Sequence, residues 1–196
     1  MNYYQNETHV SCSSLKKLWR QQNGGTEPEA FPESLSFGNA VDSLLTEPET
    51  VVNNPEAEAL AELYRKQTKT PFFNKGARFQ WEFYKTISPD GYPVKFRGKT
   101  DVWFPKFRIV EDIKTTKISS LTENSIETAV NHFGYDMQIV SYMILSRSET
   151  GVLSFLSRSG WMYQYYVPRG SVRWAQGLDK LKNHLQLWQN IQLSKA

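Results

Sequence analysis

The stretch "RIVEDIKTTK", from Arg108 to Lys117, combines the pattern of a buried strand with charges that buried strands rarely carry. Its isoleucines and valine predict a strand. Successive strand residues point to opposite sides, so Asp112 and Lys114 share one face while Glu111 points to the other. An acid and a base on one face of a strand require either solvent or a functional partner.

A second carboxylate lies on the strand that comes before. The segment "GKTDVW" carries Asp101, and a turn confined to "PK" would place it opposite Val110 and diagonal to Asp112, on the same side of the sheet. Clustered carboxylates repel each other, and a divalent cation relieves that repulsion. Oxygen ligands suit magnesium or manganese, and a lysine nearby can hold a water or stabilise a phosphate. The alternative is a solvated strand face with a cross-strand ion pair.

The patterns around this stretch predict a mixed central sheet. Helices come first, followed by a three-strand meander, further helices, a hairpin and a closing helix. In the first meander strand, "RFQWEFYKTI", strict alternation would place Phe79 and Phe83 on one face and Gln80 on the other. We therefore predict an α/β (α+β) fold, with one domain over residues 1–196.

Two helix boundaries are predicted from local signals. Ser13 or Ser14 is expected to cap the first helix. The polar segment 21–36, rich in glycine and proline, is expected to be a loop. A helix would then begin at Phe37 and end before Pro48.

Composition limits the classes of protein to be considered. The chain has 196 residues, a net charge of +3 and a single cysteine, Cys12. One cysteine cannot form a disulfide framework, a zinc knuckle or an iron–sulfur cluster within the chain. The sequence shows neither a signal-peptide core nor an apolar run long enough to span a membrane. We expect a soluble, cytoplasmic protein without a membrane partner.

The acidic motifs resemble those of the PD-(D/E)XK nuclease superfamily. The branch they resemble contains the RecB-like and exodeoxyribonuclease VIII (RecE-like) phage recombination nucleases. Its signature is an aspartate followed by acid-x-lysine on the adjacent strand, here Asp101 and Asp112-Ile113-Lys114. The threonines that follow match the "DIKTT" ending of that branch.

Further blocks extend the resemblance from about residue 10 to residue 142. The Q-x-x-x-Y helix motif corresponds to Gln138 and Tyr142, whose spacing places both side chains on one helix face. The segment "FGNAVDSLLTEPE" resembles a block that carries a metal-binding histidine in relatives, but here the position is Asp42. The N-terminal "VSCSSLKKL" resembles the S-x-S-x-L-K motif at the N-terminus of the family's members.

The resemblance implies a restriction-endonuclease-like core and a magnesium- or manganese-dependent DNA exonuclease. Its expected catalytic residues are Asp101, Asp112, Lys114, Gln138 and Tyr142. Its expected metal ligands are Asp42, Asp101, Asp112 and the main-chain carbonyl of Ile113. The expected partners are linear DNA with a free end and a single-strand annealing recombinase.

Basic side chains near the predicted groove are candidates for phosphate contacts, and Glu82 is an additional candidate acid. Arg97 and Lys99 are favoured because they lead into Asp101. The full set of basic candidates is Lys16, Lys17, Arg20, Lys75, Arg78, Arg97, Lys99 and Lys117.

Three other functions stay open on the sequence. Replacement of the histidine by Asp42 favours a nucleic-acid-binding relative with weak or absent cleavage. A restriction-type endonuclease shares the acidic signature. A structural or interaction protein would carry the same charges on a solvated face.

Overall fold

We analysed a computed structural model of the chain, which describes residues 9–24, 32–47, 49–68, 76–88, 91 and 93–194. The elements are β1 (Val10–Ser11), α1 (Cys12–Gln22), α2 (Pro32–Thr46), α3 (Pro55–Gln67), β2 (Arg78–Ile87), β3 (Val94–Phe104), a 3-10 turn (Pro105–Phe107), β4 (Ile109–Thr116), α4 (Glu123–Phe133), α5 (Tyr135–Ser146), β5 (Thr150–Ser157), β6 (Trp161–Pro168) and α6 (Val172–Leu193).

The strands form one mixed sheet in the order β1-β3-β4-β5-β6, with β2 paired to β3 beside this path. Strands β2, β3 and β4 are antiparallel neighbours, so the predicted meander is confirmed. The pairs β1–β3 and β4–β5 are parallel. Helices α4 and α5 connect β4 to β5, as a parallel crossover requires. The expected fold class, a mixed sheet flanked by helices, is confirmed.

The buried side chains form two apolar layers, one on each side of the sheet. Helices α1, α4, α5 and α6 contribute to one layer, and α2 and α3 contribute to the other. Strand β3 serves both, because Phe96 belongs to the first layer and Val102 to the second. Strand β4 therefore lies between helices on both faces, which explains why Val110, Glu111 and Asp112 are all buried.

Helix α5 approaches its neighbours where they carry glycine. A Cβ atom on Gly98 of β3 would lie 2.6 Å from Leu145 Cδ1, and one on Gly151 of β5 would lie 2.5 Å from Ile139 Cγ1. A Cβ atom on Gly177 of α6 would lie 2.6 Å from the main-chain oxygen of Asp136. These contacts are closer than a methyl group tolerates, so the three glycines determine how deeply α5 is seated.

Two predicted helix boundaries are wrong. The cap of α1 is Ser11, whose hydroxyl accepts a hydrogen bond from the Ser14 amide while the Ser14 hydroxyl accepts one from the Ser11 amide. Helix α2 begins at Pro32 and not at Phe37, within the segment predicted as a loop. Proline is well tolerated in a first helical turn because its missing N–H would have no partner there. Pro48 lies outside the described residues.

The predicted register between β3 and β4 is also wrong. Val102 pairs with Glu111 and Trp103 with Val110, so the register is shifted by two residues from the one expected for a "PK" turn. The connection is longer, since the 3-10 turn is followed by Arg108 in the left-handed conformation (φ 54°). A shift of two residues leaves every side chain on the same face of the sheet, because strand residues alternate with a period of two. Asp101 and Asp112 therefore still lie on one side.

Strict alternation along β2 fails at Gln80. Phe79 packs in the layer of α2 and α3, whereas Phe83 belongs to the opposite layer, although both have the same parity. Between them Gln80 has φ 49°, a left-handed conformation that interrupts the pleat. The strand therefore presents apolar side chains to different layers before and after this residue.

Within the described ranges, no helix combines the length and the apolar character that crossing a bilayer demands.

The contact between α5 and α6 predicts the effect of Gly177→Ala. Alanine favours a helix interior by about 1 kcal/mol over glycine, yet its methyl group would overlap the Asp136 carbonyl. Overpacking of this kind costs about 1–3 kcal/mol, so we expect a lower free energy of unfolding in urea. The exposed neighbour provides the control, because Gln176→Ala should leave stability nearly unchanged. A Gly177→Ala variant more stable than the parent would contradict the described seating of α5.

Candidate active site

The acidic residues of β3 and β4 lie side by side. The Asp112 side chain is only 3% exposed, and its Oδ2 lies 2.5 Å from Nζ of Lys114, which is 20% exposed. Asp101 Oδ2 accepts a hydrogen bond from the Ile113 main-chain N–H at 2.6 Å. The main-chain pairing of β3 with β4 ends at Val102 and Glu111. Beyond that point, the Asp101 carboxylate and not a main-chain carbonyl accepts the Ile113 N–H of β4. Two carboxylates and one ammonium group therefore meet at the centre of the sheet.

The charges of this cluster influence one another strongly. Burial raises the pKa of Asp101 well above its ordinary value, and the Asp112 and Asp42 charges raise it further. Burial alone would lower the pKa of Lys114, but the Asp112 and Asp101 charges outweigh it and raise the pKa overall. Lys114 is thus a cation in this arrangement and compensates part of the acidic charge.

Helix α5 brings two polar side chains to the same place. Gln138 Nε2 donates to Asp112 Oδ1 at 3.4 Å and to the Tyr142 hydroxyl at 3.0 Å. Burial, together with the Asp112 charge, raises the pKa of Tyr142 well above its ordinary value, so the phenol stays protonated. Gly134, with φ 62°, ends α4 and starts α5, and so separates the two helices.

Lys16 of α1 and Tyr135 of α5 also belong to the cluster, although the sequence did not assign them to the catalytic centre. Lys16 Nζ donates to Gln138 Oε1 at 3.2 Å and thereby fixes which end of that amide faces Asp112. The Tyr135 ring lies between two ammonium groups, 5.3 Å from Lys16 Nζ and 5.1 Å from Lys114 Nζ. Cation–π contacts of this kind hold both lysines near the ring.

Asp42 of α2 approaches the cluster from the other layer. Both of its carboxylate oxygens accept from Gln80 Nε2, at 3.2 and 2.9 Å, and the same amide reaches the Thr46 hydroxyl at 3.1 Å. Gln80 was not among the predicted site residues, because a left-handed backbone within a strand leaves no signal in the sequence. Such conformations cost about 1–3 kcal/mol and concentrate at functional sites.

The other candidate residues are more dispersed. Glu82 is exposed, accepts from the Tyr84 hydroxyl at 2.9 Å and stands opposite Lys99 in the β2–β3 ladder. Arg97 is half-buried on β3, next to Ser11 of β1. Lys75 lies outside the described residues.

A second polar cluster lies behind the acidic pair, on the other face of β4. Glu111 is fully buried, and its Oε1 accepts from the Tyr64 hydroxyl at 2.6 Å and from the Ser154 hydroxyl at 2.5 Å. A buried carboxylate needs such donors. This network links α3 and β5 to the strand that carries Asp112 and so stiffens its position.

The donors present fit a magnesium ion held mainly by two carboxylates. Within the described ranges, no group of three or more histidine, cysteine, aspartate or glutamate side chains is arranged to hold a metal ion. Asp101 and Asp112 are adjacent, whereas Asp42 is engaged by Gln80. Magnesium is commonly bound by one or two carboxylates and completes its shell with waters and substrate phosphates. The raised pKa of Asp101 reflects its burial and the neighbouring acidic charge, which such a cation would compensate.

A basic cavity of about 330 Å³ opens beside Lys114. Lys117 and Arg158 line it together with Phe133 and Tyr135, while Ser34 borders it from α2. The cavity is suited to an anionic chain that places one phosphate near Lys114.

Comparison with known proteins supports the fold. No family model and no curated protein matches this sequence. The solved structure of a candidate exonuclease from Eubacterium rectale covers 95% of this chain and 84% of its own, with a TM-score of 0.67 and 16% identity. A phage-related exonuclease from Haemophilus somnus 129PT covers 96% of each chain, with a TM-score of 0.50 and 14% identity. The chain thus has the fold of these exonuclease structures, and the resemblance predicted from its motifs is confirmed at the level of the fold.

The strained backbone at Gln80 can be tested by stability alone. In Gln80→Gly and Gln80→Ala the amide is lost equally, but only glycine accepts φ 49° without strain. We expect the glycine variant to have the higher free energy of unfolding, by about 1 kcal/mol. The same pair of substitutions at Glu82 is the control, where alanine should be the more stable. If the alanine variant were the more stable at both positions, the left-handed conformation of Gln80 would be contradicted.

The pKa of Asp42 predicts a pH-dependent stability. Burial and the Asp112 charge raise this pKa to about 6, compared with about 3.9 in an unfolded chain. The favourable contribution of the protonated form is therefore lost as the pH rises through about 6. In chelator, we expect Asp42→Asn to be more stable than the parent at pH 8, by on the order of 1–2 kcal/mol after allowance for partial exposure.

This advantage should diminish towards pH 5, and thermal or urea unfolding across the pH range measures it. The control is Asp179→Asn on the exposed face of α6. An advantage for Asp42→Asn that is the same at pH 5 and pH 8 would contradict the raised pKa of Asp42.

Proposed function

We propose that the chain is a metal-dependent deoxyribonuclease that hydrolyses phosphodiester bonds. The observation that supports this most strongly is the meeting of Asp101, Asp112, Lys114 and Gln138 at one place, from two strands and a helix. These groups come from three separate elements, and burying them together has a high electrostatic cost unless a cation and an anionic substrate use them. The shared fold with structures named as exonucleases supports the same proposal.

Asp101 and Asp112 would hold magnesium or manganese, with the Ile113 carbonyl as a further ligand and Asp42 as a proposed ligand from α2. A bound divalent ion supplies positive charge that activates water and polarises the phosphate. Hydrolysis then requires that water attacks phosphorus in line with the leaving oxygen. The carboxylates fix where this can happen.

Lys114 acts in this proposal as a charged donor and not as a base, because the adjacent carboxylates keep its proton bound. Its ammonium would donate to the attacking water or to a phosphate oxygen as negative charge develops. Gln138 would keep Asp112 oriented through the bond to Oδ1. Tyr142 is protonated, accepts a hydrogen bond from Gln138 Nε2 and would donate its own proton to the substrate backbone.

The substrate strand would occupy the basic cavity beside Lys114. Lys117 and Arg158 would contact phosphates on either side of the scissile bond. Arg97 and Lys99 on β3 would contribute further phosphate contacts. Because such contacts do not read bases, we expect cleavage without strong sequence preference.

The motif resemblance and the names of the two solved structures favour an exonuclease acting on linear DNA with a free end. On the resemblance, we retain a single-strand annealing recombinase as a proposed partner. A role in phage or mobile-element recombination and a cytoplasmic location belong to the same proposal.

The central test is cleavage of end-labelled linear duplex DNA in magnesium, in manganese and in chelator. We expect nucleotide release only with a divalent ion, and a loss of about 10²-fold or more in Asp112→Asn and Lys114→Met, because each removes a group that stabilises the transition state. Closed circular DNA of the same sequence should resist cleavage if a free end is required.

The matched control for charge is Asp179→Asn, on the exposed face of α6. Thermal unfolding shows whether each variant is folded, and magnesium should raise the melting temperature of the parent more than that of Asp112→Asn. Folded Asp112→Asn protein that cleaves at the parental rate would defeat the proposal.

A second candidate function is DNA binding without efficient cleavage. It is favoured by the engagement of both Asp42 oxygens with Gln80, which leaves two adjacent carboxylates in the described site. In that case the protein would bind labelled DNA in chelator and in magnesium alike, and would release no nucleotides with either metal.

A further inference from the structure

A second cavity, separate from the one beside Lys114, lies between α1, α6 and the junction of α4 with α5. Its volume is about 340 Å³, at the lower end of the ~300–1,000 Å³ typical of ligand pockets. Phe133 lines both cavities and therefore marks the boundary between them. The residues lining the second cavity are Lys16, Trp19, Arg20, Asn131, His132, Phe133, Gly134, Met137, Lys180, Asn183 and His184.

One face of α1 contributes both charge and an aromatic surface. Lys16, Trp19 and Arg20 are spaced i, i+3 and i+4, so their side chains lie together. The Trp19 indole stacks on the His184 imidazole, with ring centroids 4.3 Å apart and an interplanar angle of 18°. Trp19 nevertheless remains 36% exposed and can accept a further flat group.

The cations of this face lack acidic partners among the described residues. Lys180 is paired with Asp136 at 2.5 Å, but no ion pair involves Lys16 or Arg20 in that part of the chain. Burial lowers the pKa of Lys16, as expected for an ammonium group without a carboxylate in contact. A phosphate group would supply the missing negative charge.

The cavity is linked to the proposed catalytic centre through Lys16. This lysine donates to Gln138, which donates in turn to Asp112. The Tyr135 ring completes the connection, since Lys16 and Lys114 lie against it. A ligand in the second cavity would thus lie one side chain away from the group that orients Asp112.

We propose that this cavity binds one unpaired nucleotide of the substrate strand, with its base stacked on Trp19 and its phosphate between Lys16 and Arg20. The inference rests on the proposed nuclease function and adds the form of the substrate. A volume of about 340 Å³ suits a single nucleotide and is small for a base pair. On this proposal the DNA end is single-stranded or frayed where it reaches α1.

Binding in chelator tests the proposal without cleavage. The probe is a short fluorescein-labelled oligothymidine. The comparison is a DNA duplex that is closed by a loop at each end. Base stacking is worth ~1–3 kcal/mol per base, so Trp19→Ala should weaken binding of the oligothymidine about tenfold. Arg20→Met should lower the slope of log affinity against log salt by about 0.7, the value for one phosphate contact on a single strand.

Two exposed residues outside the cavity give matched controls. Trp161 is 62% exposed at the β5–β6 hairpin, and Trp161→Ala should bind as the parent does. Lys106→Met removes an exposed charge on the β3–β4 connection and should leave the salt slope unchanged. Thermal unfolding checks the fold of each variant, and Arg20→Met keeps the proposal testable if Trp19→Ala does not fold.

Competition separates the base from the phosphate. Thymidine monophosphate should displace the oligothymidine more effectively than inorganic phosphate does. Equal competition by the two anions, unchanged affinity in Trp19→Ala, or an equal loss in Trp161→Ala would overturn the proposal.

The nuclease assignment can fail separately. A parent protein that releases nucleotides in magnesium while Trp19→Ala binds normally would overturn only the nucleotide cavity. A parent that binds neither DNA form and releases no nucleotides would overturn both.

Discussion

Helix α5 lies so close to the sheet and to α6 that side chains larger than hydrogen do not fit beneath it at three positions. Gly98, Gly151 and Gly177 provide that space, one from each neighbouring element. The close approach has a direct consequence for the site, because the Gly98 position borders the Tyr142 ring. It allows Gln138, one turn earlier, to reach Asp112 on β4. The depth of one helix thus determines whether the polar groups meet.

Electrostatic compensation is the second constraint. Asp101 and Asp112 are brought together in a place where burial alone makes their charges costly, and Lys114 offsets only part of that charge. A bound cation would compensate the remainder, and the same geometry explains why the lysine remains protonated. Glu111 faces the other side of the same strand and is stabilised differently, by hydrogen bonds from the hydroxyl groups of Tyr64 and Ser154. Glu111 and Asp112 are neighbours on one strand, but their surroundings differ, because hydroxyl groups contact the first and a lysine contacts the second.

The two apolar layers are coupled through Gln80. Its left-handed backbone changes the face that β2 presents, and its side chain holds Asp42 of α2. On the opposite side, Lys16 of α1 connects a basic aromatic cavity to Gln138. The acidic centre is therefore supported from both layers of the fold. Substitutions in either layer should influence its geometry without altering the carboxylates themselves.

Local sequence determined much of the architecture. Alternation and turn residues predicted the β2–β3–β4 meander, helical periodicity predicted the helices on either side of it, and period-two geometry placed Asp112 and Lys114 on one face. These features depend on neighbours along the chain, so they can be read from it. The exact register of β3 on β4 could not be read, because the length of the connection depends on a 3-10 turn and on a left-handed Arg108.

Only the tertiary structure decided which distant groups meet. Lys16, Tyr135 and Gln80 entered the site through contacts between separate elements, and no spacing in the sequence encodes them. The packing role of the three glycines next to α5 could not be predicted from the sequence either, because a glycine indicates a close approach only when the element that packs against it is known. The sequence by itself determined the elements and the signature acids of this protein. Their convergence was decided by packing, because the free energy that holds them together comes from contacts far apart in the chain.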